Sequence, residues 1–328
     1  MEYHNLGRTG LMVSAFGMGC GNFGGIGSAP EFFGQGESEE EAFVLLDRAV
    51  ELGINYLDTA NAYGGGRSEE TIGKWLAAKD RSVRDNLLIS SKVANPVGGG
   101  PNQRGLSRRH ILEQIDVSLA RLGVDHLDMY LVHDTDPTTP LEETLDALNS
   151  LVVAGKVRYI GASNHPAWLM TKSLWLSDIS GGHRFDWIQN SFNLIDQHDQ
   201  DEMLELCRDQ GLGFTNFSPL CGGLLTGKYN FDGDYPDGSR MTKRPEPYMR
   251  HWNRETFDAI DSLGEKAADA GVHTAGLALG WLYHHPEVTS SIVGPRRLSH
   301  FDPVEEAMNL DLSESEWDQI TALFRRDH

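Results

Sequence analysis

The sequence predicts an α/β fold in which eight parallel strands close into a (β/α)8 barrel, a TIM barrel, behind an N-terminal β-hairpin. Three observations favour this architecture. Short apolar segments alternate with amphipathic helical segments along the chain, the alternation yields eight strands, and no shift in composition divides the 328 residues. We therefore predict one barrel domain over residues 1–328, because barrels of this type exceed the usual domain length.

The hairpin comes first, where YHNL and LMVS flank the turn sequence Gly-Arg-Thr-Gly. Each barrel strand is predicted from a short apolar segment bounded by turn residues. These segments span residues 15–20, 54–59, 86–92, 126–133, 157–163, 185–189, 212–218 and 289–294.

Helices are predicted between the strands, where apolar residues recur at helical spacing after acidic or serine starts and before glycine stops. Ser68 is the predicted N-cap of the second helix. The predicted helices span residues 37–53, 68–79, 107–123, 140–155, 200–211, 253–271, 274–285 and about 313–326, with one more starting near 166.

An open, doubly wound sheet is the alternative for this alternation. It predicts a G-x-G-x-x-G turn after the first strand and a fitting acidic residue near the end of the second. The sequence has GMGCGNFGG at the first place, and no acidic residue near the end of the second strand stands in a context that fits this alternative, which favours the barrel.

The charge balance excludes two classes of partner. The chain has 28 basic and 48 acidic residues, a net charge of −20. Nucleic acids and anionic membranes select basic surfaces, so neither is expected to bind. The lack of an apolar signal core or a membrane-spanning run, with three widely spaced cysteines, predicts a cytoplasmic protein. No particular oligomeric state is predicted.

Polar residues close three successive strands. Asp58 ends the second strand, Lys92 the third and His133 the fourth, and Tyr63 follows Asp58 on a loop. Alone, each has a structural explanation as a cap, a solvated lysine or a satisfied histidine. Because the strand ends of a barrel meet at one mouth, we predict that the four side chains form an active site.

Two chemistries fit this set. A neutral Lys92 would form a Schiff base with a carbonyl, as in barrel aldolases, although Asp58 favours its charged form. A cationic Lys92 held by Asp58 would instead make the Tyr63 phenol a better acid. His133 would then orient a carbonyl whose oxygen Tyr63 protonates as a hydride or another nucleophile reaches the carbon.

The later strands supply a candidate cofactor site. Ser163, Asn164 and Gln189 end two strands with neutral amide and hydroxyl groups that suit a carboxamide. Phe217 offers a face to a flat ring, and Ser218 precedes a pair of glycines whose backbone suits a pyrophosphate.

The basic pair Arg296 and Arg297 follows the last strand and is predicted to bind a phosphate, with a solvated surface pair as the alternative. Residues 222–228 spell GxxxxGK, but Tyr229 replaces the hydroxyl residue that would bind Mg²⁺, so an NTPase is rejected. No histidine spacing predicts a metal site.

The longest predicted loops, residues 21–37, 93–106 and 220–252, all follow strands and therefore lie at the barrel mouth. They carry aromatic residues that we predict as walls of a substrate pocket: Phe23, Phe32, Phe33, Tyr235, Tyr248 and Trp252. Such walls suit a sugar, a cyclic ketone or an aryl aldehyde.

Several segments, in order along nearly the whole chain, resemble the aldo-keto reductases. They are GRTGLMVSAFGMGC, GINYLDTANAYGGGRSEETIGKWL, GKVRYIGASNH, NSFNLID and FSPLCGGLLTGKY. The resemblance implies a (β/α)8 barrel that uses NADP(H) for hydride transfer to an aldehyde or ketone. It implies Tyr63 as general acid, Lys92 and Asp58 as its activating pair, and His133 as the residue that orients the carbonyl.

The resemblance also implies a set of cofactor contacts. The carboxamide would be held by Ser163, Asn164 and Gln189, the ring by Phe217, and the pyrophosphate by Ser218, Leu220, Gly222 and Leu224. The chain departs from the family after its last strand, where Pro303 and Val304 replace the usual Glu-Asn near the adenine. Cofactor contacts are predicted there from Gly294, Arg296, Arg297 and His300, with NADP as the cofactor and NAD as the alternative.

The direction of the reaction stays open, with alcohol oxidation as the alternative to carbonyl reduction. The β-subunits of potassium channels resemble the same family. A cofactor-binding regulatory subunit with little turnover is therefore the alternative function.

Overall fold

The computed structural model describes residues 1–325 and has the predicted barrel, preceded by a separate antiparallel hairpin. The hairpin strands are β1 (Tyr3–Asn5) and β2 (Met12–Ser14). The barrel strands are β3 (Phe16–Gly19), β4 (Tyr56–Asp58), β5 (Leu88–Val93), β6 (Leu127–Val132), β7 (Val157–Ser163), β8 (Trp187–Ser191), β9 (Gly213–Phe217) and β10 (Ser290–Val293).

The eight barrel strands pair in parallel in chain order, and β10 closes the ring by pairing with both β9 and β3. All eight lie within two residues of their predicted bounds. The short apolar segments therefore carried enough information to place the strands, because a parallel sheet covered by helices buries both of its faces.

Helices lie between the strands in the predicted order. The described helices are α1 (Glu39–Glu51), α2 (Arg67–Ala77), α3 (Arg81–Arg84), α4 (Arg108–Leu122), α5 (Leu141–Val153), α6 (Ala167–Ser180), α7 (Met203–Gln210), α8 (Arg240–Lys243), α9 (Arg254–Asp269), α10 (Thr274–Tyr283), α11 (Asp302–Asn309) and α12 (Glu314–Ala322). Of these, α3, α8 and α11 were not predicted. Within residues 1–325, no helix has both the length and the apolar character needed to cross a membrane.

Two apolar layers hold the barrel together. The larger lies between strands and helices, and a smaller cluster combines the hairpin residues Leu6 and Val13 with strand residues such as Tyr56, Met129 and Trp187. The hairpin therefore packs against one end of the barrel core. The active sites of such barrels lie at the opposite end, where the strands finish.

A run of three glycines redirects the chain after β4. Gly64, Gly65 and Gly66 have φ values of 59°, 70° and 100°, a left-handed region that other residues rarely adopt. The helix α2 begins directly afterwards, so Ser68 lies inside it and is not the predicted N-cap. Its hydroxyl instead donates to the Cys20 carbonyl at 2.8 Å.

The side chain of Arg121 stabilises this glycine turn through hydrogen bonds on both sides of it. Its guanidinium donates to the Asn61 carbonyl at 3.0 Å and to Oε2 of the fully buried Glu69 at 3.1 Å. Ser91 of β5 donates to the other Glu69 oxygen at 2.6 Å. A Cβ atom on Gly66 would lie 2.4 Å from Cζ of Arg121, so only glycine leaves room for this side chain.

We predict that Gly66→Ala lowers the free energy of unfolding by about 2 kcal/mol or more, because it combines left-handed strain with displacement of Arg121. Gly155→Ala is the matched control, since Gly155 has φ 74° but nothing within 4 Å of the added Cβ. It should cost about 1 kcal/mol. Equal losses in urea-unfolding curves would show that Arg121 contributes nothing at this turn.

Candidate active site

A buried ion pair lies at the centre of the barrel mouth. Asp58 ends β4, and Lys92 is the penultimate residue of the neighbouring strand β5. Nζ of Lys92 donates to Oδ2 of Asp58 at 2.5 Å and to the Thr59 carbonyl at 3.0 Å. Only 1% of the Lys92 side chain and 5% of the Asp58 side chain are exposed, so each charge depends on the other for compensation.

The pair keeps Lys92 cationic. Burial lowers the pKa of Lys92, but the charge of Asp58 and the nearby Tyr63 outweigh burial, and the net pKa is raised above its ordinary value. A Schiff base requires a neutral amine. The arrangement therefore favours the interpretation in which Lys92 serves Tyr63 over the aldolase alternative.

Tyr63 projects from the glycine turn toward this ion pair. Its hydroxyl lies 3.4 Å from Nζ of Lys92 and 3.3 Å from Nε2 of His133. The sequence led us to expect that Lys92 would make the phenol more acidic, but burial raises the pKa of Tyr63 and Lys92 offsets only part of this. Tyr63 thus keeps its proton at neutral pH and is suited to donate it.

His133 directly follows β6 and is held as a neutral ring. Burial, and then the charge of Lys92, place the pKa of His133 well below its ordinary value. Nδ2 of Asn95 lies 3.2 Å from Nδ1 of this ring. Because an amide nitrogen can only donate, Nδ1 accepts and the ring proton lies on Nε2, the atom that faces Tyr63.

A fifth residue, Gln189 on β8, contacts this group of side chains. Its Nε2 donates to Oδ1 of Asp58 at 3.0 Å and to the Tyr56 hydroxyl at 3.2 Å. These bonds fix the amide, and no donor among residues 1–325 reaches its carbonyl oxygen. That oxygen can therefore accept from the NH₂ group of a carboxamide, as the sequence predicted for this residue.

Ser163 and Asn164 lie beside Gln189 at the end of β7. Ser163 is buried, while Asn164 adopts a left-handed φ of 56° that asparagine tolerates. Nδ2 of Asn164 donates to the His133 carbonyl at 2.8 Å, which connects the fourth and fifth barrel strands at their ends.

The segment after β9 has the backbone expected of a phosphate cradle. Ser218 has φ 55°, and Gly222 and Gly223 have φ 65° and 91°. A Cβ atom on Gly222 would meet the Tyr248 ring at 2.7 Å. Leu220 is half-buried and Leu224 is buried in the core, so the side chain of Leu224 offers no contact to a ligand.

Four cations gather near the end of β10. Burial lowers the pKa of Lys228, and the charges of Arg297, Arg296 and Arg240 lower it further. Lys228 belongs to the GxxxxGK sequence for which the sequence analysis rejected an NTPase. In a chain of net charge −20, such a group indicates a local anion site.

Within this group of cations, Arg296 already has partners in the protein for some of its hydrogen-bond donors. Its Nε donates to Oε1 of the buried Glu37 at 2.6 Å, and its Nη1 donates to the Gly238 carbonyl at 3.0 Å. It therefore connects the loops after β3, β9 and β10. Arg297 is exposed and has no ion-pair partner among the described residues, so Arg297 is the freer of the two predicted phosphate ligands.

The residues after β10 are those predicted, from the resemblance, to contact the adenine end of the cofactor. Gly294 is exposed, and His300 has its pKa lowered to about 4 by burial and then by Arg297, Lys228 and Arg296. Pro303 lies in the first turn of α11 and Val304 is buried beneath it. Val304 therefore belongs to the packing of this helix.

The barrel mouth opens into a cavity of about 840 Å³. Tyr63, Asn164, Phe217 and Ser218 are among its lining residues. Tyr248 lines it too, but the other five aromatic residues predicted as substrate walls do not: Phe23, Phe32, Phe33, Tyr235 and Trp252.

The structure shows contacts outside this cavity for four of those five side chains. Phe23 is buried in the core with 1% of its surface exposed. Phe33 lies over Gly65 and beneath Arg67, and Phe32 lies in the same short 3₁₀ helix region. Tyr235 and Trp252 pack on each other with ring centroids 5.0 Å apart.

Sequence reasoning missed several polar residues that the fold brings to the mouth, among them Asn95, Arg240 and Arg244. Asn95 orients His133, and Arg240 and Arg244 line the cavity from either end of α8. The available signal was their position in the long loops after β5 and β9. Nothing in the local sequence separated them from other loop residues.

We predict that Asn95→Asp moves the His133 ring proton from Nε2 to Nδ1, because a carboxylate can only accept, and raises the His133 pKa toward neutrality. Nitrogen-15 NMR of the histidine rings between about pH 5 and 9 measures both effects. In the wild type, His133 should stay neutral across this range. Ser28→Ala removes the other contact of the Asn95 amide, at 3.2 Å, and should leave the tautomer unchanged. A wild-type His133 that titrates at its ordinary pKa would contradict the assignment.

Comparison with known proteins places this site in a family context. The chain matches the model of the Aldo/keto reductase family over residues 17–325. It is 36% identical over 322 residues to a probable voltage-gated potassium channel subunit beta from Oryza sativa, an alignment that covers 95% of this chain and 92% of that protein.

Two further relatives are named as reductases. Versiconal hemiacetal acetate reductase from Aspergillus parasiticus is 35% identical over 332 residues, covering 94% of this chain and 92% of that protein. L-glyceraldehyde 3-phosphate reductase from Escherichia coli is 32% identical over 335 residues, covering 98% and 91%. The barrel, the residues at its mouth and these matches together show that the chain belongs to the aldo/keto reductase family, whose members generally use NAD(P)H.

Proposed function

We propose that this protein reduces an aldehyde or ketone to an alcohol, with NADPH as the hydride donor. The observation that carries the proposal is the contact of the Tyr63 hydroxyl with both Lys92 and His133, 3.4 and 3.3 Å away, above the buried Asp58. Two relatives named as reductases support the reaction type.

The chain's own residues supply the proton chemistry. His133 would donate from Nε2 to the substrate oxygen and polarise the carbonyl. Tyr63 would release its proton to the same oxygen, and the phenolate left behind would be stabilised by Lys92. Asp58 would keep Lys92 charged and in place throughout. When bound, the nicotinamide cofactor supplies the hydride to the carbonyl carbon.

The residues at the mouth fit NADP(H). The free carbonyl oxygen of Gln189, with Ser163 and Asn164, suits a carboxamide, and Phe217 offers a ring face. Lys228, Arg240 and Arg297 provide positive charge for the phosphates. The three cysteines are buried and unpaired, which supports the expectation of a reducing, cytoplasmic location for one catalytic barrel domain.

A regulatory, cofactor-binding role is the second candidate, because one relative carries the name of a potassium channel subunit. Both roles would keep the cofactor site, so turnover separates them. Burial keeps Tyr63 protonated at neutral pH, which is the form that carbonyl reduction requires, and alcohol oxidation stays the alternative direction.

We predict that Tyr63→Phe lowers kcat for carbonyl reduction at least about a hundredfold, because the substrate oxygen loses its proton donor. NADPH oxidation, followed with a panel of aldehydes and ketones, measures this. NADPH binding by fluorescence should remain.

Tyr130→Phe is the matched control for this change. Tyr130 is fully buried in β6, and its hydroxyl has no hydrogen-bond partner among the residues described. Its activity should stay near that of the wild type. A wild-type protein that binds NADPH but reduces no member of the panel would favour the regulatory role. A borohydride-trapped adduct on Lys92 would restore the aldolase alternative.

We predict that Arg297→Ala weakens NADPH binding at least about tenfold while NADH binding changes little, because the 2′-phosphate loses a charge-assisted partner. Isothermal titration calorimetry with both nucleotides measures the difference. Arg254→Ala, which removes an exposed arginine paired with Asp232 outside the cavity lining, is the control. Equal weakening of NADPH and NADH would remove Arg297 from the phosphate site.

A further inference from the structure

The mouth cavity contains an arginine without a counter-charge. Three arginines line it, namely Arg240, Arg244 and Arg250. Arg240 donates to Oδ1 of Asn22 at 3.1 Å, and Arg250 donates to Oδ2 of Asp196 at 2.7 Å. Within residues 1–325, no carboxylate lies within 4.0 Å of the Arg244 guanidinium and no hydrogen bond of its side chain is formed.

In this, Arg244 differs from the other two arginines of the cavity, whose side chains are held by Asn22 and Asp196. Two carboxylates of the same cavity have basic neighbours other than Arg244, because Asp196 contacts both Arg250 and His198, and Asp199 lies 3.4 Å from Nε2 of His198. The third acidic lining residue, Glu202, forms no ion pair with Arg244. The positive charge of Arg244 is therefore left for a ligand.

The position of Arg244 separates it from the cations near β10. A Cβ atom on Gly27 would lie 3.2 Å from Nη1 of Arg244, so the guanidinium lies against the Gly27 backbone. The Gly27 carbonyl accepts a hydrogen bond from the Gly64 amide at 2.9 Å, one residue from Tyr63. Arg244 thus lies beside the turn that carries the proposed proton donor. The cations that lower the pKa of Lys228 are Arg297, Arg296 and Arg240, and Arg244 is not among them.

We propose that Arg244 binds an anionic group, a carboxylate or a phosphate, on the carbonyl substrate. A guanidinium presents a planar fork of donors that matches either anion in a bidentate manner. The anion would anchor the far end of the substrate while its carbonyl reaches Tyr63 and His133. This inference rests on the proposed carbonyl reduction and specifies its substrate class as aldehydes or ketones that carry a negative charge.

Two matched substrate pairs test the inference and distinguish the anions. Butanal is compared with 4-oxobutanoate for the carboxylate, and glyceraldehyde with glyceraldehyde 3-phosphate for the phosphate. The measured quantity is the ratio of kcat/KM for the charged and the neutral member of each pair. We expect a wild-type ratio above one for at least one pair, and a fall of roughly tenfold to hundredfold in Arg244→Gln, mainly through KM.

Two further variants sharpen the test. Arg244→Lys keeps the charge but loses the planar fork, so it should retain part of the preference. Lys243→Gln removes a neighbouring positive charge of α8 that does not line the cavity, and its ratio should match the wild type. A wild-type ratio at or below one for both pairs, or a ratio that Arg244→Gln leaves unchanged, overturns the proposal.

A failure of the proposed reaction would look different, because the wild type would then reduce neither member of either pair. In that case calorimetric binding of 4-hydroxybutanoate and of inorganic phosphate to the NADPH-loaded protein decides the question. Binding that is lost in Arg244→Gln supports the anion site, and absent or unchanged binding of both anions overturns it.

Discussion

The buried ion pair between Asp58 and Lys92 is the interaction on which the candidate site depends. Removing one partner of such a pair typically costs about 3–5 kcal/mol, because the remaining charge is left without compensation. The barrel makes the pair unavoidable, since parallel pairing of β4 with β5 fixes both backbones side by side. Gln189 and the Thr59 carbonyl complete its hydrogen bonds. The ion pair therefore connects the strand register directly to the chemistry of the mouth.

The same low-dielectric environment sets three protonation states at once. Lys92 stays cationic because Asp58 and Tyr63 together outweigh the effect of burial on its pKa. Tyr63 keeps its proton because burial outweighs Lys92, and His133 stays neutral because burial and the charge of Lys92 both lower its pKa. An acid with its proton, a neutral N–H donor and a fixed cation then surround one point. A carbonyl oxygen that acquires negative charge is the group that all three would stabilise.

The sequence predicted what depends on order and periodicity, and it failed where distant loops meet. Asp58, Lys92 and His133 could be placed because strand ends converge in any such barrel. The raised pKa of Tyr63 could not be predicted, because it depends on how deeply the folded loops bury the phenol, and Gly21 of the loop after β3 lies against the ring.

The loop aromatic residues are a second feature that the sequence could not predict, because their positions depend on how the loops fold. A loop aromatic that faces a cavity and one that packs beneath its own loop have similar sequences. Tyr248 reaches the cavity, whereas Trp252 packs against Phe257 with ring centroids 4.7 Å apart.

The ionisation of Tyr63 is the most direct test of the protonation states proposed for this site. It can be measured by alkaline titration of ¹³C-tyrosine-labelled protein by NMR, with Tyr63→Phe to assign the signal. We expect a pKa of Tyr63 above the ordinary tyrosine value of about 10, raised further in Lys92→Met. Ionisation near neutral pH, or a lower pKa in Lys92→Met, would contradict it.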